Sequence, residues 1–323
     1  MKQIEKLEWE PRWVTHLGCL MGCLDCLEID VTCGWLFGGT GHAFMLNIHE
    51  ELCPSGPTAW KAGVIHKLGK NIGYEVEGIV GFKSREDFSV LQKRAWDTVR
   101  KAIDEGIPCF GWELDIPEYY AIYGYDDVGY HFKGPMCDNG KGPLSWEKLG
   151  DTGIGVVEVY AVRPGAKAED AKTVREALQF ALEAADGADQ YVHENYSGGL
   201  SGYETWISAL EAGKAGGFGM AYNAAVWAEC RQSAASFLRE AQVKLDDGLA
   251  TLFDEGIAHY DVVSQELTTV SETFPFLNTS EEEKQAHIQD LDRRKKAANA
   301  LKTAREAEVK GLKVLEQIVA QLG

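Results

Sequence analysis

The sequence predicts an α+β fold in which a mixed domain with a central antiparallel sheet precedes an all-helical domain. Its 323 residues are enough for about two domains at roughly 150 residues each. Short stretches rich in β-branched and aromatic residues are concentrated in the first half. After Arg163, Pro164 and Gly165 the pattern changes to alanine-rich, charged segments with helical spacing. We therefore place the two domains at residues 1–163 and 164–323.

The first domain combines predicted strands with two helical stretches. An apolar stretch covers residues 16–27, and a capping box at Ser84 and Asp87 predicts the start of a helix that Gly106 ends. Strands are predicted at residues 43–48, 74–82, 108–114, 119–125, 130–132 and 156–162. Residues 126–129 join two of these strands as a hairpin loop, which favours an antiparallel sheet.

The second domain is predicted to consist of helices. They are expected at residues 169–185, 203–212, 222–245 and 247–271, with a last helix from Ser280 towards Leu322. Ser280 and Glu283 form a capping box for that last helix. A helix of this length packs along other helices of its own chain or against a second subunit. A homodimer through the C-terminal helices is therefore one expectation.

Charge and composition exclude several classes of protein. The chain has 32 Lys+Arg against 50 Asp+Glu, a formal charge of -18 that repels nucleic-acid phosphates. No stretch approaches the ~18 consecutive apolar residues of a membrane span, and the charged amino terminus does not resemble a signal peptide. We therefore expect a cytoplasmic protein with neither nucleic-acid nor membrane partners, whose eight cysteines stay reduced.

The densest group of candidate catalytic residues lies between Thr15 and Cys26. If a helix begins near Gly18, Cys19 lies in its first turn, where unpaired N–H groups lower the pKa of a thiol. Such a nucleophile needs a histidine as its base, and His16 is nearby in sequence. Alternatively, cysteines spaced at i, i+4 and i+7 form the buried face of a helix.

A glycine-rich segment supplies the second group of candidates. Gly39, Thr40 and Gly41 precede a predicted strand and are suited to holding backbone N–H groups towards an anion or a thioester oxygen. His42 follows directly and is the leading candidate for a base, although a histidine satisfied by loop carbonyls is the alternative. Three aromatic residues are candidate walls of the binding site: Trp60, Tyr119 and Tyr120.

The sequence favours neither a metal nor a cofactor. The spacing of Cys19, Cys23 and Cys26 matches the cluster-binding triad of radical S-adenosylmethionine enzymes. Asp25 stands where that motif carries an aromatic residue, and no serial β/α barrel follows. His49 with Glu50, Glu51 and Cys53 does not reproduce the spacing of a known zinc site.

Three stretches of the first half carry a family resemblance. These are residues 16–32, residues 35–44 and residues 106–127. Their order resembles the amino-terminal domain of the butirosin-biosynthesis protein H family, which is similar to the bacteriocin-processing, papain-like cysteine peptidases. The resemblance implies a papain-like fold and cysteine-dependent transfer of an aminoacyl group from a carrier-protein thioester to an aminoglycoside amine.

The resemblance also assigns positions to the catalytic groups. Counting back from residues 124–127 puts the histidine position of the related peptidases at Glu118. Counting back from Ile29 puts the nucleophile position near Thr15 or His16, one helical turn before Cys19. Glu118 would then orient the base or act as the base, and the second role requires a raised pKa.

Three functions from different classes follow. The leading one is acyl transfer, amide formation or amide hydrolysis on a small-molecule or carrier-protein thioester in secondary metabolism, with Cys19, His42 or His16, and Glu118 as catalytic residues. The alternative is a catalytically inactive papain-like scaffold that binds a small molecule or a partner. A structural partner acting through its long helix is the third. We expect a small-molecule substrate or an acyl carrier protein as the partner.

Overall fold

The computed structural model describes residues 1–186, 190–213, 215–245 and 247–323, which form two compact units. The first, the sheet unit, combines Met1–Thr32 with Ile72–Lys167. The second, the helical unit, combines Cys33–Asn71 with Ala168–Gly323. The class is mixed helix and strand with a central antiparallel sheet and helices at the carboxyl end, as the sequence predicts.

The strands and helices are as follows in chain order. The strands are β1 (Lys2–Gln3), β2 (Asn47–His49), β3 (Tyr74–Phe82), β4 (Cys109–Trp112), β5 (Tyr119–Tyr125), β6 (Gly129–Lys133), β7 (Lys141–Ser145), β8 (Val156–Pro164) and β9 (Tyr196–Gly198). The helices are α1 (Thr15–Cys26), α2 (Cys33–Gly39), α3 (Gly63–Gly69), α4 (Phe88–Asp104), α5 (Asp170–Ala185), α6 (Gly199–Ala212), α7 (Gly217–Lys244), α8 (Ala250–Thr273), α9 (Glu281–Gln289) and α10 (Leu291–Gln321).

The sheet unit is built on one antiparallel sheet with the strand order β3-β8-β4-β5-β6-β7, and β1 also pairs with β5. Helix α1 packs against the face that carries Tyr119 and Tyr160, through the ring of His16. Helix α4 covers the opposite face, where Leu91 fills the space above Gly81. The core of this unit therefore lies in two layers, one on each side of the sheet.

The helical unit is organised around α7, which packs against α8 and α2, while α10 packs against α8 and α6. A fully buried ion pair joins α7 to α10, with Arg231 Nη2 at 2.8 Å from Glu308 Oε1. The guanidinium also donates hydrogen bonds to the carbonyl oxygens of Ala43 and Met45, and Tyr203 donates to Glu308. The two buried charges therefore offset each other, and the guanidinium is also bonded to backbone.

The observed division of the chain differs from a single cut at residue 163. The junction at Lys167 lies close to that point, but Cys33–Asn71 belong to the helical unit. The physical reason is the packing of α2 on α7. A Cβ on Gly38 would lie 2.0 Å from the ring of Phe237, and one on Gly34 would meet Ser236 at 2.9 Å. These two glycines, one helical turn apart, let the helices approach closely.

Several predicted elements are confirmed and others differ. The strands at 74–82 and 119–125 have the predicted bounds, and the capping box of Ser280 and Glu283 is present. The predicted strand at 43–48 is a 3₁₀ turn followed by the short β2. The last helix is interrupted at Asp290, whose side chain accepts hydrogen bonds from the N–H groups of Asp292 and Arg293 and so begins α10.

In the described part of the chain, no helix combines the length and the apolar character needed to cross a membrane.

The close contact at Gly38 predicts the effect of a single methyl group. We expect Gly38→Ala to lower the free energy of unfolding by about 1–3 kcal/mol, because the new methyl overlaps the Phe237 ring in a packed core. The measurement is urea unfolding followed by circular dichroism. Gly63→Ala is the matched control, since that helical glycine has open space around it and gains helix propensity. Equal stability of the two variants would contradict the packing argument.

Candidate functional site

The two positions that the family resemblance assigns to nucleophile and histidine meet in the sheet unit. Thr15 is the first residue of α1, and Glu118 directly precedes β5. Thr15 Oγ1 donates to Glu118 Oε2 at 2.5 Å and accepts a hydrogen bond from the Tyr119 N–H at 3.1 Å. A hydroxyl and a carboxylate therefore occupy the start of this helix, where the helix dipole stabilises negative charge.

Cys19 lies one turn further along α1 and is 0% exposed. Burial raises the pKa of this thiol well above its usual value, and the nearby Glu118 and Cys137 raise it further. Cys23 is also fully buried, and its pKa is raised for the same main reason. Because the thiolate is the reactive form, a raised pKa disfavours reaction of either side chain at neutral pH in this conformation. Here the cysteines line the buried face of α1.

His16 is held in an aromatic stack. Its ring lies 4.6 Å from the ring of Tyr119 and 6.0 Å from that of Tyr160, measured between centroids. Both phenols donate to Glu158 Oε1, at 2.9 and 2.7 Å, and burial raises the pKa of this carboxyl group. The hydroxyl group of Tyr119 is therefore engaged in a hydrogen bond to Glu158 within the sheet unit.

Tyr120 points its hydroxyl into its own unit as well. The hydroxyl accepts from the Ile116 N–H at 3.1 Å and donates to the Pro135 carbonyl at 3.4 Å. Its ring packs edge-on against Phe132. The tyrosine hydroxyls at 119 and 120 thus satisfy local hydrogen bonds.

The glycine-rich segment forms part of the core of the helical unit. Gly39 ends α2, and Thr40 donates to the carbonyl oxygen of Leu36 at 2.7 Å. Gly41 adopts φ +80°, in the left-handed region that favours glycine, and a Cβ there would lie 2.3 Å from Phe180. The three residues therefore make a close-packed turn that leads into the 3₁₀ segment at His42.

His42 is 2% exposed and enclosed by aromatic rings. Trp60 lies edge-on at 5.5 Å and Trp227 stacks at 6.5 Å, while Cys230 Sγ is 3.6 Å from Nδ1. Burial lowers the pKa of His42 to about 4, and the positive charge of Arg231 contributes to the lowering. The imidazole is therefore neutral at physiological pH. Trp60 itself is fixed by a hydrogen bond from its indole N–H to Pro57.

The predicted site residues fall into two groups. The sheet unit contains Cys19, His16, Glu118, Tyr119 and Tyr120, and the helical unit contains His42, Gly39, Thr40, Gly41 and Trp60. Within the first group, Glu118 accepts a hydrogen bond from Thr15. The catalytic and binding roles assigned to all these residues remain predictions.

A half-exposed thiol lies elsewhere in the helical unit. Cys53 Sγ is 2.8 Å from Ser55 Oγ, which in turn is 2.7 Å from the Tyr196 hydroxyl. All eight cysteines are free thiols, and Cys53 is more accessible than Cys19. It therefore serves as an internal reference for thiol reactivity.

The sheet unit contains a cleft that the sequence did not predict, which we call the acidic cleft. It has a volume of about 260 Å³ and is lined by Glu8, Trp9, Glu10, Met21, Gly22, Asp25, Ile29, Asp30 and Val31. One wall is the amino-terminal segment, which passes so close to α1 that a Cβ on Gly22 would lie 2.0 Å from the Glu8 carbonyl oxygen. The signal in the sequence was the pair Gly18 and Gly22, at the spacing of one helical turn.

The acidic cleft carries a strong negative potential. It lies beside the carboxyl-terminal half of α1, whose dipole adds partial negative charge to that of the four carboxylates. Glu8 is paired with Lys133, and Glu10 with Arg12. Across the ranges that the structure describes, Asp25 and Asp30 have no ion-pair partner. The Trp9 indole is held by a hydrogen bond to Asp138 at 3.0 Å.

Taken over the described residues, no group of three or more His, Cys, Asp and Glu side chains is close enough to hold a metal ion.

The chain matches no known protein-family model, and no curated protein matches its sequence significantly.

The environment of His42 predicts its titration. We expect the Cε1 proton of His42 to titrate with a midpoint of about 4 in NMR spectra. Because the folded pKa lies below the unfolded value of about 6.5, the unfolded chain binds the extra proton first. The contribution of His42 to stability is therefore complete above about pH 6.5 and is lost as the pH falls towards 4. A midpoint near 6.5 would instead indicate an exposed imidazole, available as a base.

Proposed function

We propose that this chain is a catalytically inactive papain-like scaffold that binds a cationic small molecule in the acidic cleft. The observation that carries the proposal is the pair formed by Thr15 and Glu118, at the positions where the resemblance implies a nucleophile and a histidine. A threonine hydroxyl bound to a carboxylate is not a thiolate–imidazolium pair. The scaffold would then retain the arrangement of the peptidases without their chemistry.

The arrangement of α1 and β5 supports the papain-like part of the proposal. The amino-terminal end of α1 lies against the beginning of β5, and α1 packs on the antiparallel sheet. The resemblance implies this same meeting of a helix start with a strand start. The similarity concerns where the starts of α1 and β5 meet. It does not depend on which side chains occupy these positions.

The burial of Cys19 supports the proposal that the scaffold is catalytically inactive. A cysteine nucleophile must be deprotonated and reachable by its substrate, whereas Cys19 has a raised pKa and is enclosed. His16 lies within its aromatic stack. Activation would require α1 to leave the sheet, which would expose Leu17, Leu20 and Leu24 as well.

The acidic cleft supports a cationic ligand. Four carboxylates, a helix carboxyl end and an indole face all favour positive charge, the last through a cation–π contact. A cavity of about 260 Å³ accommodates an amine-bearing group of modest size. The resemblance points to the same chemistry, because the family acts on aminoglycoside amines. A multiply charged amine is therefore the ligand class.

Binding is tested by calorimetry with spermidine and the aminoglycoside neomycin as probes. We expect the double variant Asp25→Asn, Asp30→Asn to bind at least about tenfold more weakly, because each carboxylate contributes a charge-assisted hydrogen bond. Affinity should also fall as salt is raised.

The matched control for binding is Asp127→Asn combined with Glu86→Gln. These substitutions remove two exposed acids of the same unit that do not line the acidic cleft. Equal loss in both double variants would show that net charge alone attracts the probes and would contradict a specific site. The absence of any binding by the parent protein would do the same.

Acyl transfer through Cys19 is tested by intact-mass spectrometry after incubation with a panel of acyl thioesters. We expect no adduct at Cys19, because its thiol is protonated and buried. Iodoacetamide treatment of the native protein should alkylate the half-exposed Cys53 before Cys19. A thioester adduct that forms on the parent and is lost in Cys19→Ala would overturn the proposal and establish the cysteine-dependent enzyme.

A further inference from the structure

Strand β3 is an edge of the central sheet. It pairs with β8 along all nine of its residues, from Tyr74 opposite Pro164 to Phe82 opposite Val156. Among the strands of the described ranges, β8 is the only one that pairs with it. The other side of β3 therefore presents main-chain hydrogen-bonding groups without a strand partner.

The outward-facing groups belong to the even-numbered residues. The Gly73 carbonyl accepts from Gly165, and the Lys83 N–H donates to Gly155, so the odd-numbered positions face β8. Along an antiparallel strand this direction alternates. Val76, Gly78 and Val80 therefore direct their N–H and C=O groups away from the sheet.

This edge lacks three of the usual protections against pairing. Natural edges are shortened, bulged or interrupted by proline, whereas β3 is long, has an unbroken register and contains no proline. Val80 is 50% and Phe82 is 56% exposed. Their side chains lie on the same face of the sheet, because the side-chain period of a strand is two.

The charges of β3 are divided between its two ends. Glu75 and Glu77 lie near the beginning, and Lys83 follows the last residue. Carboxylates along an edge repel a parallel copy of the same strand. An antiparallel copy places the opposite end, with its lysine, beside them. The charge pattern therefore favours antiparallel over parallel pairing of two β3 strands.

An antiparallel pair of β3 strands with its two-fold axis at Ile79 brings complementary residues together at its ends. Glu75 lies opposite Lys83 of the second copy, and Val76 lies opposite Phe82. Gly78 lies opposite Val80, and the ring of Tyr160 of its own chain already packs over this glycine. Each pairing occurs twice by symmetry, and the even-numbered pairs are those whose main-chain groups face outward.

The complementary pairs contribute favourable contacts of two kinds. Cross-strand ion pairs and aromatic–β-branched pairs are each worth roughly 0.2–1 kcal/mol, in addition to the main-chain hydrogen bonds. Lys83 is 49% exposed and already lies 2.7 Å from Asp151. The lysine therefore extends along the surface, where a second carboxylate can approach it.

We propose that β3 pairs with β3 of a second copy of this chain and forms a homodimer through one continuous antiparallel sheet. The juxtaposition of Glu75 with Lys83 across the two-fold axis fixes the register. This contact differs from the dimer through the C-terminal helices that the sequence suggests, and it is independent of ligand binding in the acidic cleft.

Charge reversal tests the register in sedimentation-equilibrium experiments on the full chain. We expect Glu75→Lys and Lys83→Glu each to weaken dimerisation at least about tenfold, because each places like charges opposite one another. An equimolar mixture of the two variants should regain the affinity of the parent, since both cross-strand pairs in the mixed dimer are again of opposite sign. Circular dichroism checks that each variant is folded.

Asp127→Lys is the matched control for Glu75→Lys, because it makes the same change of charge at an exposed position outside β3 and should dimerise like the parent. A parent protein that is monomeric at about 0.1 mM would overturn the proposal, since a specific dimer has a lower dissociation constant. Dimerisation of all variants with unchanged affinity would also overturn it and would place the contact elsewhere, for example on the C-terminal helices.

Discussion

The ion pair between Arg231 and Glu308 fixes the arrangement of the helical unit. Both side chains are buried, so neither tolerates the loss of the other. Removing one partner of such a pair typically costs about 3–5 kcal/mol, because an uncompensated charge stays in the core. The same guanidinium bonds to the carbonyls of Ala43 and Met45 and thereby holds the segment next to His42. The position of His42 follows from this interaction.

Burial away from water sets the protonation states of His42 and Cys19. Enclosure by Trp60 and Trp227 keeps the imidazole of His42 neutral, and enclosure in α1 keeps the thiol of Cys19 protonated. A nucleophile and a base need the opposite environment, in which the reactive form is accessible. In this structure Cys19 and His42 contribute to packing, and the catalytic roles predicted for them stay predictions.

Strands and helices could be predicted from the sequence more accurately than the surroundings of individual side chains. Tyr74–Phe82 and Tyr119–Tyr125 were predictable because β-branched and aromatic residues recur within short limits. The sequence also raised the buried face of α1 as an alternative for its cysteines. Helix α2 was not predicted, because Gly38 and Gly39 indicate a loop unless the partner helix α7 is known. The acidic cleft was not predicted because its walls come from separate segments, and only the folded backbone brings Glu8 to Gly22.

Helix α1 connects the pair formed by Thr15 and Glu118 with the proposed binding site. At its amino-terminal end the helix dipole favours negative charge, and the carboxylate of Glu118 is held there by Thr15. At its carboxyl-terminal end the dipole adds to the negative charge of Asp25 and Asp30. The positive end of the α1 dipole is therefore already balanced by a carboxylate of the protein. At the negative end, Asp25 and Asp30 have no ion-pair partner among the described residues, so the negative charge there is not balanced. A positively charged ligand is the complement that the negative end requires, which is why we place binding at that end of the helix.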